Sequence, residues 1–264
     1  MVTNKKKRIL ALCLSLVMVF SITCMEATSS AETMPDPDDE FAVEEEITFK
    51  DKQGLTYSTH ETKKTIYNPT SVIEVGVEKK DRGKISGKIV IPATIVYPKT
   101  GKRYRVTMLE NGFYDCKKIT SVVLPTTWKT IDDIAFADCH KLSTVKNIQR
   151  VREIGWMSFS DCHSLKKLKL DQVVSIDQGA FYGCKKLSAI TIGKKCKELG
   201  DSAFNRCKKL KTITIKSTKL KKVGKKVFKG TSHKITIKVP KKKLAAYKKL
   251  FKNKGNKKVV VKAI

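Results

Sequence analysis

The sequence has little of what most enzymes need. It contains only four histidines, and neither a glycine-rich phosphate loop nor a Ser-His-Asp arrangement is visible. A nucleophile needs a base within hydrogen-bonding reach, and paired catalytic carboxylates need a shared cleft, whereas the acids of this chain are spread singly along it. We therefore predict no catalytic residues and no cofactor. An enzyme, or a module associated with one, stays the alternative because residues distant in sequence can assemble a site.

Acidic residues are scarce in the second half, and none follows Asp201. The net charge is +8 over residues 47–105, +2 over residues 106–172 and +25 over residues 173–264, within +30 for the whole chain. Lysine outnumbers arginine by 48 to 7. Lysines act as hydrated point charges, so this composition favours diffuse attraction to anions and disfavours sequence-specific recognition of nucleic acid.

Long apolar runs are also missing, since a membrane-spanning helix needs roughly 20 residues and the longest candidate covers residues 9–22. It follows a basic segment at residues 5–8 and precedes small residues that end at Ala31, which is the pattern of a signal peptide. We expect cleavage after Ala31, secretion and no transmembrane segment in the mature chain. A lipoprotein that uses Cys24 is the alternative.

Residues 32–46 contain eight acids and two prolines. Such a segment cannot bury apolar surface. We predict that it is a disordered acidic leader.

The sequence does contain a repeat of 22 to 24 residues. Six phenylalanines mark it, and five of them are followed three residues later by cysteine. A fixed period in this range indicates a solenoid, in which units too short to bury their own core stack on one another. We predict six units over residues 106–239 with these residues stacked inside: Phe113, Phe136, Phe159, Phe181, Phe204, Phe228, Cys116, Cys139, Cys162, Cys184 and Cys207.

Most units end in an alternating apolar pair, as at residues 190–192 and 213–215. This pattern predicts one short strand per unit, stacked in parallel at roughly 4.8 Å. The strand of the second unit is a weaker prediction because residues 145–148 break the alternation. The segment from phenylalanine to cysteine has helical spacing but is about one turn long.

Both ends of the solenoid need covering, because an open strand edge invites aggregation. We predict a β-rich N-terminal cap at residues 47–105, with one degenerate coil at residues 89–91. At residues 240–264 we predict a C-terminal cap in which a helix is followed by a strand at residues 259–261. The alternative for residues 241–254 is a basic amphipathic helix on a membrane surface. The apolar stripe of this helix comprises Leu244, Tyr247, Leu250 and Phe251.

The repeat resembles the BspA-like bacterial leucine-rich repeats. The resemblance rests on Ile154-Gly155, the Ala-Phe-Tyr-Gly-Cys of residues 180–184 and the Val-Val-Leu-Pro of residues 122–125. It is close over residues 106–240 and extends back to about residue 47. It implies a leucine-rich-repeat solenoid, mainly β with short helical turns, in a secreted or cell-surface bacterial protein. Adhesive roles are implied for a few members, and the family brings no catalytic residues.

The cysteine column is predicted to be a ladder of buried thiols. Parallel Cβ vectors on neighbouring coils give the wrong torsion for a disulfide, and five cysteines cannot pair completely. Disulfides stay the alternative. Cys196 lies outside the column, and we expect it to be the exposed thiol.

Two Cys-His pairs, at residues 139–140 and 162–163, suggest a zinc site because they stack one coil apart. Three other units have lysine at the histidine position, so we expect that column to face water while the cysteines point inward. We therefore predict no metal site. The lysines are Lys117, Lys185 and Lys208.

The aligned units show how the charge asymmetry arises. Asp115, Asp138 and Asp161 stand just before the cysteine and can offset the basic column just after it, whereas the next two units have Gly183 and Arg206 there. A basic column on stacked coils would attract a linear polyanion. The candidate anion-binding residues are Lys185, Lys186, Arg206, Lys208, Lys209, Lys225 and Lys226.

We therefore predict an exported, monomeric adhesion or interaction module. Its basic half would bind an anionic cell-wall polymer, a glycan or a host surface, and this charge would hold it at the cell surface. The more neutral repeats would remain available to a protein partner. A basic surface that only solubilises the solenoid is the alternative.

Overall fold

The structure is a computed structural model that describes residues 47–59, 72–108, 112–231 and 234–264. All of these residues belong to one unit. The predicted signal peptide and acidic leader lie outside the described residues, and both stay predictions.

The N-terminal cap is rich in β-structure, as predicted. Its elements are β1 (Thr48–Lys50), β2 (Thr56–Ser58), β3 (Val72–Gly76), a 3-10 turn (Lys79–Asp81), β4 (Ser86–Val90), β5 (Thr94–Val96) and β6 (Arg103–Met108). Five of these strands form a mixed sheet in the order β1-β2-β3-β6-β5. The remaining strand, β4, pairs in parallel with β7 (Lys118–Val123) and places Ile89 opposite Val122. The degenerate coil predicted at residues 89–91 is thus confirmed.

The coils contribute strands of two kinds, which build separate parallel sheets. After β7, the longer strands are β9 (Thr144–Lys146), β11 (Lys167–Leu170), β13 (Ala189–Ile192), β15 (Thr212–Ile215) and β17 (Ile235–Val239). The short strands are β8 (Thr130–Ile131), β10 (Glu153–Ile154), β12 (Ser175–Ile176), β14 (Glu198–Leu199) and β16 (Lys222–Val223). The longer strands confirm the prediction from alternation. The short ones were missed, because two residues are too few to show a period.

The longer strands stack in strict register, so that like positions face like positions. Ile190 lies opposite Ile213, and Ile192 lies opposite Ile215. Their side chains alternate between the core and the outer face, as period two requires. Full burial of each isoleucine contributes roughly 1.5–3 kcal/mol to folding.

The second coil interrupts the sheet of longer strands. Asn147 has a left-handed φ of 67° and leads into a 3-10 turn at Ile148–Arg150. In the described residues, β9 ends one sheet (β4-β7-β9), and β11 begins the next, which has the order β11-β13-β15-β17 and ends with β18 (Val259–Ala263). The weaker strand predicted here is therefore only three residues long.

The phenylalanines form a continuous stack through the interior, as predicted. All six are fully buried, and successive ring centroids lie 5.3 Å apart at the first step and 6.4 Å apart at the last. The segment from phenylalanine to cysteine is a series of hydrogen-bonded turns and not a helical turn. Each such segment contains one residue with left-handed backbone, for example Gly183 with a φ of 67°. This conformation is incompatible with a right-handed helix.

The cysteine column consists of free, buried thiols. From the second coil to the fifth, each thiol donates a hydrogen bond to the carbonyl of the phenylalanine one coil earlier, with Sγ–O distances of 3.1, 3.1, 3.2 and 3.0 Å. Burial raises the pKa of the Cys116 thiol to about 12. The pKa values of the other four are also raised by burial. These thiols are a packing feature with no reactive thiolate near neutral pH.

The expectation that Cys196 is exposed is wrong. Cys196 is fully buried, and burial raises the pKa of its thiol to about 12. It stands three residues before the inward-facing Leu199, the position that Val173 and Leu220 occupy in neighbouring coils. Because that column is apolar, a small thiol there packs into the core like its neighbours.

The C-terminal cap consists of a 3-10 turn (Lys241–Lys243), helix α1 (Leu244–Leu250) and β18 (Val259–Ala263). Tyr247 and Phe251 are buried, and the tyrosine hydroxyl donates to the carbonyl of Ser217 at 3.0 Å. The strand β18 pairs in parallel with β17, as predicted. The apolar stripe therefore covers the end of the solenoid, which confirms the capping interpretation over the membrane-surface one. No helix among the described residues has the length and apolar character to cross a membrane.

Candidate anion-binding surface

One position in every coil has left-handed backbone. It lies two residues after the phenylalanine, and its φ values are 60° at Asp115, 59° at Asp138, 51° at Asp161, 67° at Gly183, 59° at Arg206 and 69° at Gly230. Aspartate and glycine tolerate this conformation better than most residues. Each of the first five donates its N–H to a carbonyl of the next coil, for example Arg206 to Lys229 at 2.7 Å. The acidic column thus has a backbone cause that charge alone did not reveal.

In the first three coils, this aspartate pairs with the base two residues later. Asp115 Oδ1 lies 2.9 Å from Lys117 Nζ. The corresponding distances to histidine Nε2 are 3.4 Å in the second coil and 3.2 Å in the third. Each such surface pair contributes only about 0–1 kcal/mol to stability. In the first coil the aspartate also neutralises the charge of Lys117 locally, whereas the histidines of the next two coils carry a charge only when they are protonated.

We call the two positions directly after the cysteine column the basic ridge. Within the described residues its basic members are Lys117, Lys118, His140, Lys141, His163, Lys185, Lys186, Lys208 and Lys209. Neighbouring coils are joined beneath it by backbone bonds, such as Lys209 N–H to Lys185 O at 3.2 Å. The basic ridge therefore runs along the solenoid with one step per coil.

The fourth and fifth coils leave the basic ridge uncompensated. Lys185, Lys186, Lys208 and Lys209 are exposed, and within the described ranges no carboxylate lies within ion-pairing distance of them. Unit charges about 5 Å apart repel by roughly 0.8 kcal/mol even in bulk water. A bound anion would relieve this repulsion.

Arg206 is held beside these lysines by an aromatic ring. Its guanidinium carbon lies 5.4 Å from the centroid of the Tyr182 ring, one coil earlier. This distance is within the range of a cation–π contact, and Arg206 remains exposed. Arg206 therefore adds a cation beside the basic ridge.

Lys225 and Lys226 are exposed but lie elsewhere. They follow the short strand β16 and precede the buried phenylalanine, on the other side of the turn from the basic ridge. The N–H of Lys225 donates to Asp201 Oδ1 at 2.7 Å. The structure thus gathers four of the seven candidate residues on the basic ridge, places Arg206 directly before it and separates Lys225 and Lys226 from it.

The acids converge on a different face, which the sequence did not reveal. A groove of about 730 Å³ along the short strands is lined by Glu74, Asp132, Asp133, Glu153, Asp177 and Glu198, together with threonine and serine hydroxyls. Glu153, Ser175 and Glu198 share one register position on successive short strands. Alignment of the short strands would have predicted this, had those strands been recognised. Lys222 of β16 pairs with Glu198 at the end of this acidic groove.

The two Cys-His pairs are arranged as predicted, with thiols inside and imidazoles outside. Cys139 and Cys162 are fully buried, whereas the side chains of His140 and His163 are 36% and 26% exposed. No group of three or more histidine, cysteine or acidic side chains in the described part of the chain is placed to share a metal ion.

The stacked phenylalanines, the paired strand columns and the terminal caps define a leucine-rich-repeat solenoid. A family described as BspA type Leucine rich repeat region matches the chain in six copies, over residues 107–235 and 166–262. The chain belongs to the BspA-type leucine-rich-repeat family.

A solved structure shows the same fold, and a second one is similar at a lower score. A leucine-rich-repeat protein of T. pallidum, TpLRR, is similar over 76% of this chain and 95% of its own, with 20% identity and a TM-score of 0.57. A leucine rich cell surface protein from Faecalibacterium prausnitzii A2-165 matches 74% of this chain and 70% of its own, with 18% identity and a TM-score of 0.38. No curated protein matches the sequence.

Proposed function

We propose that this protein is an exported, non-enzymatic interaction module that binds an anionic polymer of a cell wall, a glycan or a host surface. The observation that carries the proposal is the uncompensated half of the basic ridge. Lys185, Lys186, Lys208 and Lys209 lie exposed on consecutive coils, in a region whose net charge is +25.

The geometry of the basic ridge suits a linear polyanion. The coils repeat at the spacing of hydrogen-bonded strands, roughly 4.8 Å, so successive lysine pairs can contact successive charged groups of an extended polymer. Each neutralised charge releases condensed counterions, and affinity then falls steeply with salt. Lysine heads give little geometric selectivity, which fits attraction to a charged surface and not recognition of one sequence.

The repeat residues themselves support a role without catalysis. The phenylalanines, the cysteines and the leucines that follow them are buried, so what the coils have in common serves packing. Surface positions differ from coil to coil, as expected where binding faces are assembled from single residues across stacked repeats.

The first experiment measures binding of the mature chain to immobilised dextran sulfate and to whole bacterial cells. The test variant carries Lys185→Glu, Lys186→Glu, Lys208→Glu and Lys209→Glu. The control carries the same charge change at exposed lysines of the first three coils, namely Lys129→Glu, Lys146→Glu, Lys166→Glu and Lys167→Glu. We expect the test variant to bind on the order of 100-fold more weakly at about 0.1 M salt, and the control to lose several-fold at most.

Two results would contradict the proposal. Equal losses in both variants would mean that total charge matters and the basic ridge does not. Wild-type binding that persists unchanged at about 0.5 M salt would remove the electrostatic mechanism, because the screening length there is only a few ångströms. Fractionation of the producing cell, followed by a graded salt wash, tests export and surface retention separately.

A further inference from the structure

The basic ridge changes its chemistry in the second and third coils. His140 and His163 stand where the first, fourth and fifth coils have lysine. Their rings stack face to face, with centroids 4.4 Å apart and an interplanar angle of 11°. Both rings remain partly exposed. Unlike lysine, an imidazole gains or loses its charge between about pH 5 and 8.

Charged groups of both signs face this pair. Asp138 and Asp161 lie within ion-pairing distance of the two rings, while Lys117 and Lys185 hold the same position in the coils before and after. Burial lowers the pKa of His163 below its usual value, and the charges of Lys185 and His140 lower it further, against the opposing bond from Asp161. In the free protein at neutral pH, His163 is therefore neutral and interrupts the row of positive charges.

We infer that His140 and His163 form a pH-controlled segment of the anion-binding surface. Once protonated, they offset the negative charges of Asp138 and Asp161 and place a cation at the same position as Lys117, Lys185 and Lys208, so that five consecutive coils carry a cation there. This inference rests on the proposed function and adds two binding residues and a regulator, the proton. Polyanion binding would consequently tighten as the pH falls.

The sign follows from linkage between protons and ligand. A polyanion on the basic ridge favours the imidazolium form, so the pKa of His163 is higher in the complex than in the free protein. Binding then takes up protons. The affinity that protonation of His163 adds is complete below its free-state pKa and is lost as the pH rises through its pKa in the complex.

The test uses dextran sulfate, whose sulfate esters keep their charge across this pH range. For the wild type we expect about 10-fold tighter binding near pH 5 than near pH 7.5 at low salt, because two further unit charges contact the polymer. His60 and His233 lie outside the described residues and are the same in every variant. Differences between variants therefore report the stacked pair.

Two double variants separate charge from shape. His140→Lys with His163→Lys introduces the residue that other coils already have, so the fold is preserved. It should bind near pH 7.5 about 10-fold more tightly than the wild type, with little pH dependence. His140→Gln with His163→Gln should match the wild type near pH 7.5 and lose the gain near pH 5. In the wild type, NMR titration of the His163 imidazole protons should show a pKa that rises when dextran sulfate is added.

The outcomes distinguish this inference from the proposed function. If the glutamine variant keeps the full pH response, or the lysine variant gains nothing near pH 7.5, the histidine inference is overturned even where Lys185→Glu, Lys186→Glu, Lys208→Glu and Lys209→Glu abolish binding. If those four substitutions leave binding intact, the proposed function itself fails. Circular dichroism of each variant verifies that folding is not the cause.

Discussion

The first three coils and the later ones share an interior and differ at the surface. Phe136 and Phe181 are equally buried and equally stacked, yet the left-handed position that follows them holds Asp138 in one coil and Gly183 in the other. The backbone there needs only a residue that tolerates positive φ. The surface charge of a coil can therefore change without disturbing the stack, because the residue that sets it lies outside the core.

Surface charge also differs between the faces of a single coil, and not only between coils. The three acids that remain after residue 172 are Asp177, Glu198 and Asp201, all at or just after the short strands. Two of them line the acidic groove. Positive charge thus collects on the basic ridge and negative charge on the short-strand face, so that even the basic half is not uniformly basic.

The largest effect should come from the interior, where the two regions are alike. Phe136→Ala and Phe181→Ala each remove a fully buried ring from the stack and should lower the free energy of unfolding by about 3–5 kcal/mol. Chemical denaturation followed by circular dichroism measures this. If one substitution costs less than a third of the other, the interiors are not equivalent and the comparison fails.

The second-largest effect should be the protection of the buried thiols from alkylation. It should be the same in the first three coils and in the later ones. With the pKa of Cys116 and Cys196 at about 12, the thiolate fraction falls roughly 1000-fold relative to a free thiol. Mass measurement after alkylation should find the described cysteines unmodified in the native state and modified in denaturant. Rapid labelling of Cys196 alone would show that its coil opens locally.

Substitution of the residue at the left-handed position should have a smaller effect, on the affinity for dextran sulfate. The affinity should change in opposite directions in the two regions. Arg206→Asp brings the compensating acid into the fifth coil and should weaken binding to dextran sulfate about 10-fold, with stability unchanged or slightly raised because aspartate tolerates positive φ better. Removal of the acids, through Asp115→Asn, Asp138→Asn and Asp161→Asn, should strengthen binding several-fold.

Asparagine also accepts left-handed backbone, so these three substitutions isolate charge from conformation. Equilibrium binding at low salt provides the measurement, and unfolding curves provide the control. A change of the same sign in both sets would mean that local compensation does not control the basic ridge.

The smallest effect on stability is expected from the ion pairs of Asp81 in the N-terminal cap. Hydrogen bonds from Lys50 and then Lys84 lower the pKa of Asp81 from 3.8 to about 2. A lowered carboxyl pKa contributes stability above pH 3.8, and this contribution is lost as the pH falls from 3.8 toward 2. NMR titration should place the midpoint near 2 in the wild type and nearer 3.8 in Lys50→Ala. An unshifted midpoint in the wild type would mean that this network does not form.

The parts of the fold that the sequence predicted are those that repeat with a clear period. Ile213 and Ile215 alternate with threonine, and both the strand and its parallel register followed from that pattern. Leu199 gave no such signal because its strand has two residues. Cys196 was placed outside the core for the same reason, since its apolar column becomes visible only when the short strands are aligned.

The candidate anion-binding surface also has a part that the sequence predicted and a part that it did not. The lysine pairs after Cys184 and Cys207 were predicted from the alignment, because cysteines that point inward require the next residues to leave the core. The ring contact of Arg206, the separate location of Lys225 and the acidic groove were not predicted. Each of these features depends on the direction in which a side chain leaves its turn. Backbone hydrogen bonds between coils fix that direction.

The amino-acid sequence by itself determined the repeat, the buried phenylalanine and cysteine columns and the loss of acids along the chain, because a fixed period forces equivalent residues to stack. Only the tertiary structure decided which surface residues meet. His140 and His163 are 23 residues apart in sequence, but their rings are in contact in space, and acids from separate coils line one groove. Stacking fixes the spacing between coils, whereas the left-handed turns fix the direction in which each side chain points.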